Sequence, residues 1–283
     1  MAMTKAIITE VSPRDGLQDE KKFVPTEVKL KFIQLLADAG LPIIEVTSFV
    51  SAKRIPALAD HALLMQQLPK NAHARYSVLI PNLKGLQEAL PYHCDYISVI
   101  TAISETFAQK NMHCSIADSI ERIREILAIT KPKKIFVRAY ISCALGCPDE
   151  GAMDAQKTAL LAKQLLEMGC DEIALGDTIG AGTPALTQQL IQAVSAFMPV
   201  EKIAIHFHDA RGQALANIKI CVQMGVYKID SAVGGLGGCP YAKGASGNVA
   251  TEKVIALLDT LRIEHGVDLE KLKKADMLIQ QFI

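Results

Sequence analysis

The stretch EIALGDTIGAGTPALTQQLIQAVSAFMPVEKIAIHF, residues 172–207, decides the fold. It opens with a short apolar run, Glu172–Leu175, and closes with another, Ile203–Phe207. Between them, Thr183 followed by proline provides an N-cap and first turn for an amphipathic segment, Pro184–Phe197. Short, largely apolar runs are typical of parallel strands that are buried between layers. The stretch therefore predicts a strand–helix–strand unit.

The same alternation runs along the whole chain. The remaining strand-like runs are Ala6–Val11, Ile43–Thr47, Arg75–Leu79, Tyr96–Thr101, Ile135–Ile141 and Lys228–Ala232. Further helix-like segments include Glu27–Ala39, Ser119–Thr130, Ala155–Met168 and Ala250–Leu261. Eight strand-then-helix units of about 35 residues each predict an α/β fold of the (β/α)8 TIM-barrel type. A doubly wound open sheet is the alternative, although that fold usually needs fewer strands and a phosphate-binding glycine turn after the first strand.

The pattern predicts one domain over residues 1–283, with no linker or low-complexity tract. We expect the barrel to cover about residues 5–262 and a C-terminal helical extension to cover about residues 263–283. We expect the extension to consist of a loop and a final helix that packs on the barrel.

Composition limits the partners. The 283 residues carry 30 basic and 30 acidic side chains, so the formal net charge is zero. We therefore expect no nucleic acid and no membrane as a main partner, although an anionic small molecule needs only local positive charge. No apolar run approaches the roughly 20 residues of a membrane span, and the N-terminus leads directly into a strand-like run. The seven cysteines are scattered and lack zinc-site spacing, which favours a cytoplasmic location.

Functional side chains of a TIM barrel lie where its strands end. Arg14 and Asp15 follow the first strand-like run, Glu45 lies in the second, and His206 and His208 lie at the end of the seventh. The two histidines are two residues apart and so point to one side of a strand. They are either a core pair or metal ligands, and the nearby carboxylate favours ligands. Buried Glu45 needs a partner, for which we expect Arg14 or the surroundings of a metal.

Asn248 supplies an amide oxygen beside this set. Two imidazoles and two oxygens, with no thiolate, suit an octahedral Mg²⁺ or Mn²⁺, and zinc stays open on the ligands alone. Asn248 closes the run Gly234–Asn248, which holds six of the 18 glycines and one cysteine, Cys239. Glycine is favoured where backbone approaches a ligand or a loop moves, so the run is either a catalytic loop or a surface loop with an incidental thiol.

Three further polar residues follow strand-like runs or lie near the first. Asp177 is either an acid or base, or a cap for its own turn. Ser142 either contacts substrate or packs, and Lys21 is either a source of positive charge for a phosphate-bearing ligand or a solvated lysine.

Together these residues resemble the 3-hydroxy-3-methylglutaryl-CoA lyase family, among the metal-dependent barrel lyases and Claisen-type synthases. The segments that carry the resemblance include SPRDGLQ at 12–18, EVTSFV at 45–50, GDTIG at 176–180, HFHD at 206–209 and GLGGCPYAKGASGN at 235–248. The Arg-Asp and His-x-His pairs also occur across the wider superfamily. The glycine-rich run looks specific to the lyase.

The resemblance implies cleavage of (S)-3-hydroxy-3-methylglutaryl-CoA to acetyl-CoA and acetoacetate, expected in leucine catabolism or ketone-body formation. It implies a divalent metal, Mg²⁺ or Mn²⁺, and the following site residues. Metal ligands are Asp15, His206, His208 and Asn248; catalytic residues are Arg14, Cys239, Asp177 and Glu45; substrate-binding residues are Arg14, Gln18, Ser142 and Lys21. We also expect an acyl-CoA substrate and a homodimer or other homo-oligomer.

Several positions depart from the family pattern. Arg54 stands where the family commonly has tryptophan, Ala174 where serine is usual, and Arg211 where tyrosine is common. None removes a predicted ligand or Cys239, but each bears on acyl-CoA preference. The alternatives are a lyase for another 3-hydroxyacyl-CoA, a Claisen synthase such as 2-isopropylmalate or homocitrate synthase, and a catalytically silent barrel. The synthases typically carry a C-terminal regulatory domain, and a silent barrel predicts lost ligands.

Overall fold

In the computed structural model, which describes residues 5–69, 73–238 and 247–283, eight parallel strands form a closed barrel. The strands are β1 Ile7–Glu10, β2 Ile43–Ser48, β3 Arg75–Leu79, β4 Tyr96–Ala102, β5 Phe136–Ser142, β6 Glu172–Asp177, β7 Ile203–Phe207 and β8 Lys228–Ser231. Each strand pairs with the next in sequence, and β8 pairs with β1, which closes the barrel. The predicted TIM barrel is confirmed, and the open-sheet alternative is wrong because the first and last strands pair.

Helices alternate with the strands. The α-helical segments of the described ranges are α1 Thr26–Asp38, α2 His61–Gln67, α3 Leu83–Ala89, α4 Glu105–Phe107, α5 Ile116–Thr130, α6 Ala155–Met168, α7 Pro184–Ser195, α8 Ala214–Gln223, α9 Thr251–Thr260 and α10 Leu269–Ile279. Thr183 caps α7 as predicted, since its side chain accepts a hydrogen bond from the Leu186 amide. Helix α5 begins three residues earlier than expected because Ser115 and Asp118 form a reciprocal capping box.

Apolar side chains fill the layer between the barrel wall and the outer helices. On β5, Val137, Ala139 and Ile141 belong to this core and are fully buried. The intervening residues, Arg138 and Tyr140, are also buried but face the barrel interior, where they meet polar groups of other strands. The two-residue period of a strand therefore separates an apolar outer face from a partly ionic interior.

The C-terminal segment contains helix α10, as the sequence indicates. Asp268 caps the helix, and Leu272, Ala275 and Ile279 are fully buried on its inner side. The Ala6 amide donates a hydrogen bond of 2.7 Å to the Glu264 carbonyl, which ties the segment to the strand-like start of the chain. The division of the chain into one barrel domain with an extension stays a prediction.

Candidate active site

A cavity of about 940 Å³ opens at the carboxyl ends of the strands. Its lining includes six of the predicted site residues, namely Arg14, Asp15, Gln18, Ser142, His206 and His208. Asp15 and Arg14 lie on a π-helical turn, Ser12–Gly16, that follows β1 directly. The histidines lie at the end of β7 and just beyond it. The barrel thus brings residues far apart in sequence to one mouth, as the fold requires.

Asp15, His206 and His208 form a carboxylate–imidazole cluster. One ligand atom from each lies within 4.8 Å of the others, and the His206 Nε2 is 3.9 Å from the Asp15 Oδ2. Asn248 completes the cluster, because its side-chain amide donates a 2.8 Å hydrogen bond to the Asp15 Oδ2. A backbone bridge between His208 and Asn248 fixes the position of the asparagine. The four residues predicted as metal ligands are therefore neighbours.

The protonation of these groups fits a divalent cation. Burial lowers the pKa of His208 to about 4, so the ring is neutral at pH 7. The Nδ1 of His208 is buried and finds no hydrogen-bond partner among the described residues, which leaves a lone pair or proton unused. Burial raises the pKa of Asp15, but Arg14, His206 and His208 lower it by more, so the carboxylate is ionised. Neutral imidazole and ionised carboxylate are the forms that bind metals.

Arg14 lies beside the cluster and is held on two sides. Its Nε donates a 2.6 Å hydrogen bond to the Glu45 Oε2, and its Nη1 contacts the Asp15 carboxylate. Glu45 also accepts a hydrogen bond from Ser98 and does not line the cavity. The expected link between Arg14 and Glu45 is thus present in the structure, and the arginine connects Glu45 to Asp15.

Asp177 occupies the end of β6 but turns into its own loop. Its carboxylate accepts hydrogen bonds of 2.9 Å from the Ala181 and Gly182 amides, and it does not line the cavity. Burial raises its pKa to about 6, against the opposing effect of these two hydrogen bonds and of Arg211. These contacts are those of a turn cap. The catalytic assignment of Asp177 stays a prediction.

The remaining predicted residues take three different positions. Gln18 donates a 3.0 Å hydrogen bond to the Asp15 Oδ1, so it supports the cluster as well as lining the cavity. Lys21 is exposed and does not line the cavity. Cys239 lies outside the described residues, although its neighbour Gly238 lines the cavity. Arg54 also lines it.

Sequence reasoning missed Asp230 and Tyr140, which lie beside His206; the Tyr140 and His206 ring centroids are 5.6 Å apart. The Asp230 Oδ2 lies 3.2 Å from the His206 Nδ1, and the Tyr140 hydroxyl donates a 2.9 Å hydrogen bond to the same oxygen. Asp230 is a carboxylate within a buried strand, which is the signal that could have identified it.

The fold and the cavity define a (β/α)8-barrel enzyme with a carboxylate–imidazole cluster that is compatible with a metal site. The HMGL-like family model matches residues 5–279, and the chain belongs to this family.

Named relatives agree with this membership. The mitochondrial hydroxymethylglutaryl-CoA lyase of Mus musculus is 51% identical over 274 residues, covering 97% of this chain and 84% of the relative. The crystal structure of hydroxymethylglutaryl-CoA lyase from Pseudomonas aeruginosa is 46% identical, with a TM-score of 0.95 and coverage of 99% of this chain and 93% of that one. An HMG-CoA lyase structure from Acinetobacter baumannii, in complex with coenzyme A and 3-methylmalate, is 33% identical, with a TM-score of 0.93 and coverage of 98% and 91%.

Within the three described ranges, no helix has the length and apolar character that crossing a membrane requires.

Proposed function

We propose that this chain is a carbon–carbon lyase that cleaves (S)-3-hydroxy-3-methylglutaryl-CoA to acetyl-CoA and acetoacetate. The observation that carries the proposal is the cluster of Asp15, His206 and His208 at the mouth of a barrel whose relatives are named as this lyase. The relatives from Mus musculus and Pseudomonas aeruginosa are both named as hydroxymethylglutaryl-CoA lyases, which favours this reaction over the expected alternatives.

The reaction sets three chemical demands. A base removes the proton of the C3 hydroxyl, the C2–C3 bond breaks, and its electron pair becomes the enolate of acetyl-CoA. The C3 hydroxyl becomes the ketone of acetoacetate. An acid then protonates the enolate carbon. The site therefore needs a base assisted by a group that acidifies the hydroxyl, a group that stabilises the enolate oxygen and a proton donor.

The cluster fits the first demand. Asp15, His206, His208 and Asn248 would hold a divalent cation, which we propose to be Mg²⁺ or Mn²⁺ because the donors are oxygen and imidazole. When bound, such an ion supplies Lewis acidity that lowers the pKa of a hydroxyl group. The His208 Nδ1, for which the described residues offer no hydrogen-bond partner, supports this use of the cluster.

Arg14 and Cys239 meet the other two demands. The Arg14 guanidinium lines the cavity and can neutralise negative charge on the thioester oxygen as the enolate forms. Cys239 is proposed as the donor of the proton to the enolate carbon, since Gly238 lies at the cavity. Asp177 and Glu45 complete the proposed polar set, with Glu45 acting through Arg14.

We propose that the acyl-CoA lies in the cavity, where Gln18 and Ser142 line the wall and Arg54 provides positive charge. Lys21 is exposed and outside the lining, so its proposed contact is with a part of the acyl-CoA that lies outside the cavity. The complex of the Acinetobacter baumannii relative with coenzyme A supports this ligand class. A cytoplasmic location is proposed because the described cysteines, six in all, have free thiols. A homodimer or other homo-oligomer is proposed as the quaternary structure.

A panel of acyl-CoA thioesters tests the assignment. We expect purified protein with Mn²⁺ to cleave (S)-3-hydroxy-3-methylglutaryl-CoA with a kcat/KM about tenfold or more above that for other 3-hydroxyacyl-CoA thioesters, since a site that pairs a substrate's polar groups rejects analogues that leave its own groups unpaired. Products are measured as acetoacetate and acetyl-CoA. A higher kcat/KM for a different 3-hydroxyacyl-CoA, or condensation of acetyl-CoA with a 2-oxo acid, would overturn the proposal.

A further inference from the structure

An ionic network crosses the barrel interior beneath the carboxylate–imidazole cluster. Arg138 of β5 pairs with Glu172 of β6 (Nε to Oε1, 2.9 Å) and with Asp230 of β8 (Nη2 to Oδ1, 2.8 Å). Its Nη1 donates a 3.2 Å hydrogen bond to the Thr9 hydroxyl of β1. None of these residues is more than 3% exposed. Buried charges are stable only when each has a partner of opposite charge. The pairing with Arg138 therefore fixes the position of Asp230.

Asp230 connects this network to His206. One Asp230 oxygen faces Arg138, and the other receives the Tyr140 hydroxyl at 2.9 Å and lies 3.2 Å from the His206 Nδ1. The Arg138 guanidinium lies 2.8 Å from one oxygen and the Tyr140 hydroxyl donates to the other, which are the partners of an ionised carboxylate. A carboxylate only accepts hydrogen bonds, and therefore the contact requires a proton on the His206 Nδ1.

The two nitrogens of the His206 ring face different groups. While Nδ1 meets Asp230, Nε2 lies 3.9 Å from the Asp15 Oδ2, on the side of the cluster. A neutral imidazole with its proton on Nδ1 has its lone pair on Nε2. His208 differs, since its Nδ1 has no partner among the described residues.

We propose that Asp230 is a positioning residue that holds His206 in the Nδ1-protonated form and aims its Nε2 lone pair at the divalent cation. This inference rests on the proposed metal site. Carboxylate partners of this kind orient imidazole ligands and raise their basicity. Arg138 and Tyr140 hold the carboxylate, so the orientation of one ligand depends on residues from two other strands, β5 and β8.

Asp230→Asn tests the proposal against Glu172→Gln as a matched control. Both changes neutralise a buried partner of Arg138, but only the first alters the contact with His206. We expect Asp230→Asn to weaken Mn²⁺ binding about 10–100-fold by isothermal titration calorimetry, as loss of an outer-shell partner does. Glu172→Gln should lower Tm but keep the Mn²⁺ Kd within about threefold of wild type, since it leaves the ligand's own partner in place. Equal losses of affinity in the two variants, or a wild-type Kd in Asp230→Asn, would overturn the proposal.

A second measurement needs no change at Asp230. Long-range ¹H–¹⁵N spectra of the Mg²⁺-loaded wild-type protein, with the His206 signals assigned by their loss in His206→Gln, report which ring nitrogen carries the proton. We expect Nδ1 to be protonated; protonation of Nε2 would overturn the role of Asp230. A wild-type protein that binds neither Mn²⁺ nor Mg²⁺ would overturn the metal site itself, and with it this role. Metal binding with an unaffected Asp230→Asn variant would overturn only the role.

Discussion

Arg14 and Glu45 form an ion pair that joins the turn after β1 to strand β2. The Arg14 Nε donates a 2.6 Å hydrogen bond to the Glu45 Oε2, and the Arg14 Nη2 lies 2.5 Å from the same oxygen. The guanidinium also contacts Asp15, and Ser98 donates to Glu45. Arg14, which is proposed to stabilise the enolate oxygen, is thus held by its sequence neighbour Asp15 and by Glu45 of strand β2.

Glu45→Gln tests whether this fixation matters for turnover. A neutral amide keeps one acceptor but loses the charge, so Arg14 is held less firmly. We expect kcat to fall about 10–100-fold, somewhat less than the loss of a whole oxyanion donor, while the Mn²⁺ Kd changes little. Steady-state kinetics and calorimetry measure the two quantities. The exposed Glu121→Gln is the control, and an unchanged kcat in Glu45→Gln would contradict the role.

Cys239→Ser tests the proton donor. Serine is a much weaker acid than cysteine, so we expect kcat to fall about 10²–10⁴-fold, the usual contribution of an acid–base group, with Mn²⁺ binding retained. Cys94→Ser is the matched control, because Cys94 hydrogen-bonds the Ala89 carbonyl and does not line the cavity. Wild-type turnover in Cys239→Ser would contradict the role of this cysteine as the proton donor.

Glu10 predicts a dependence of stability on pH. It is fully buried and accepts hydrogen bonds from Ser12, Thr251 and the Val233 amide, and the last two join β1 to residues on either side of the glycine-rich run. Burial raises its pKa from 4.5 to about 7, and the hydrogen bonds oppose this only in part. Because the folded-state pKa lies above the unfolded one, the stabilisation is complete below about pH 4.5 and is lost as pH rises through about 7.

Glu10→Gln removes this titration. We expect the free energy of unfolding of the wild type, relative to the variant, to fall by about 2 kcal/mol between about pH 5 and pH 8. Urea unfolding at the two pH values measures the difference. Parallel pH profiles for the two proteins would contradict the raised pKa of Glu10.

The strands could be predicted closely because buried parallel strands are short, apolar and separated by amphipathic segments. Predicted and observed bounds of β3 and β7 coincide, and Asp177 extends β6 by two residues past the predicted end. The first residues of helices were harder to predict, as α5 shows. Its capping box consists of polar residues, and the spacing of apolar residues gives no sign of them. Because functional residues of a TIM barrel lie at the carboxyl ends of its strands, Asp15 and the two histidines could be predicted to lie at the same end of the barrel.

Contacts across the barrel could not be predicted. The two-residue period shows that Arg138 and Asp230 face inward, but their pairing depends on strand register, which a single sequence does not reveal. Asp177 shows that local contacts are also hard to predict. The amides of Ala181 and Gly182 in its own turn donate to its carboxylate and hold it away from the cavity.

The central claim is that Asp15, His206, His208 and Asn248 hold the divalent cation on which the cleavage depends. The most direct test is acetoacetate formation from (S)-3-hydroxy-3-methylglutaryl-CoA by EDTA-treated protein, measured as Mn²⁺ is added back. We predict no turnover without metal and recovery that saturates with Mn²⁺ occupancy, and no recovery in His208→Ala. Full turnover by the metal-free protein, or none at saturating Mn²⁺, would contradict the account.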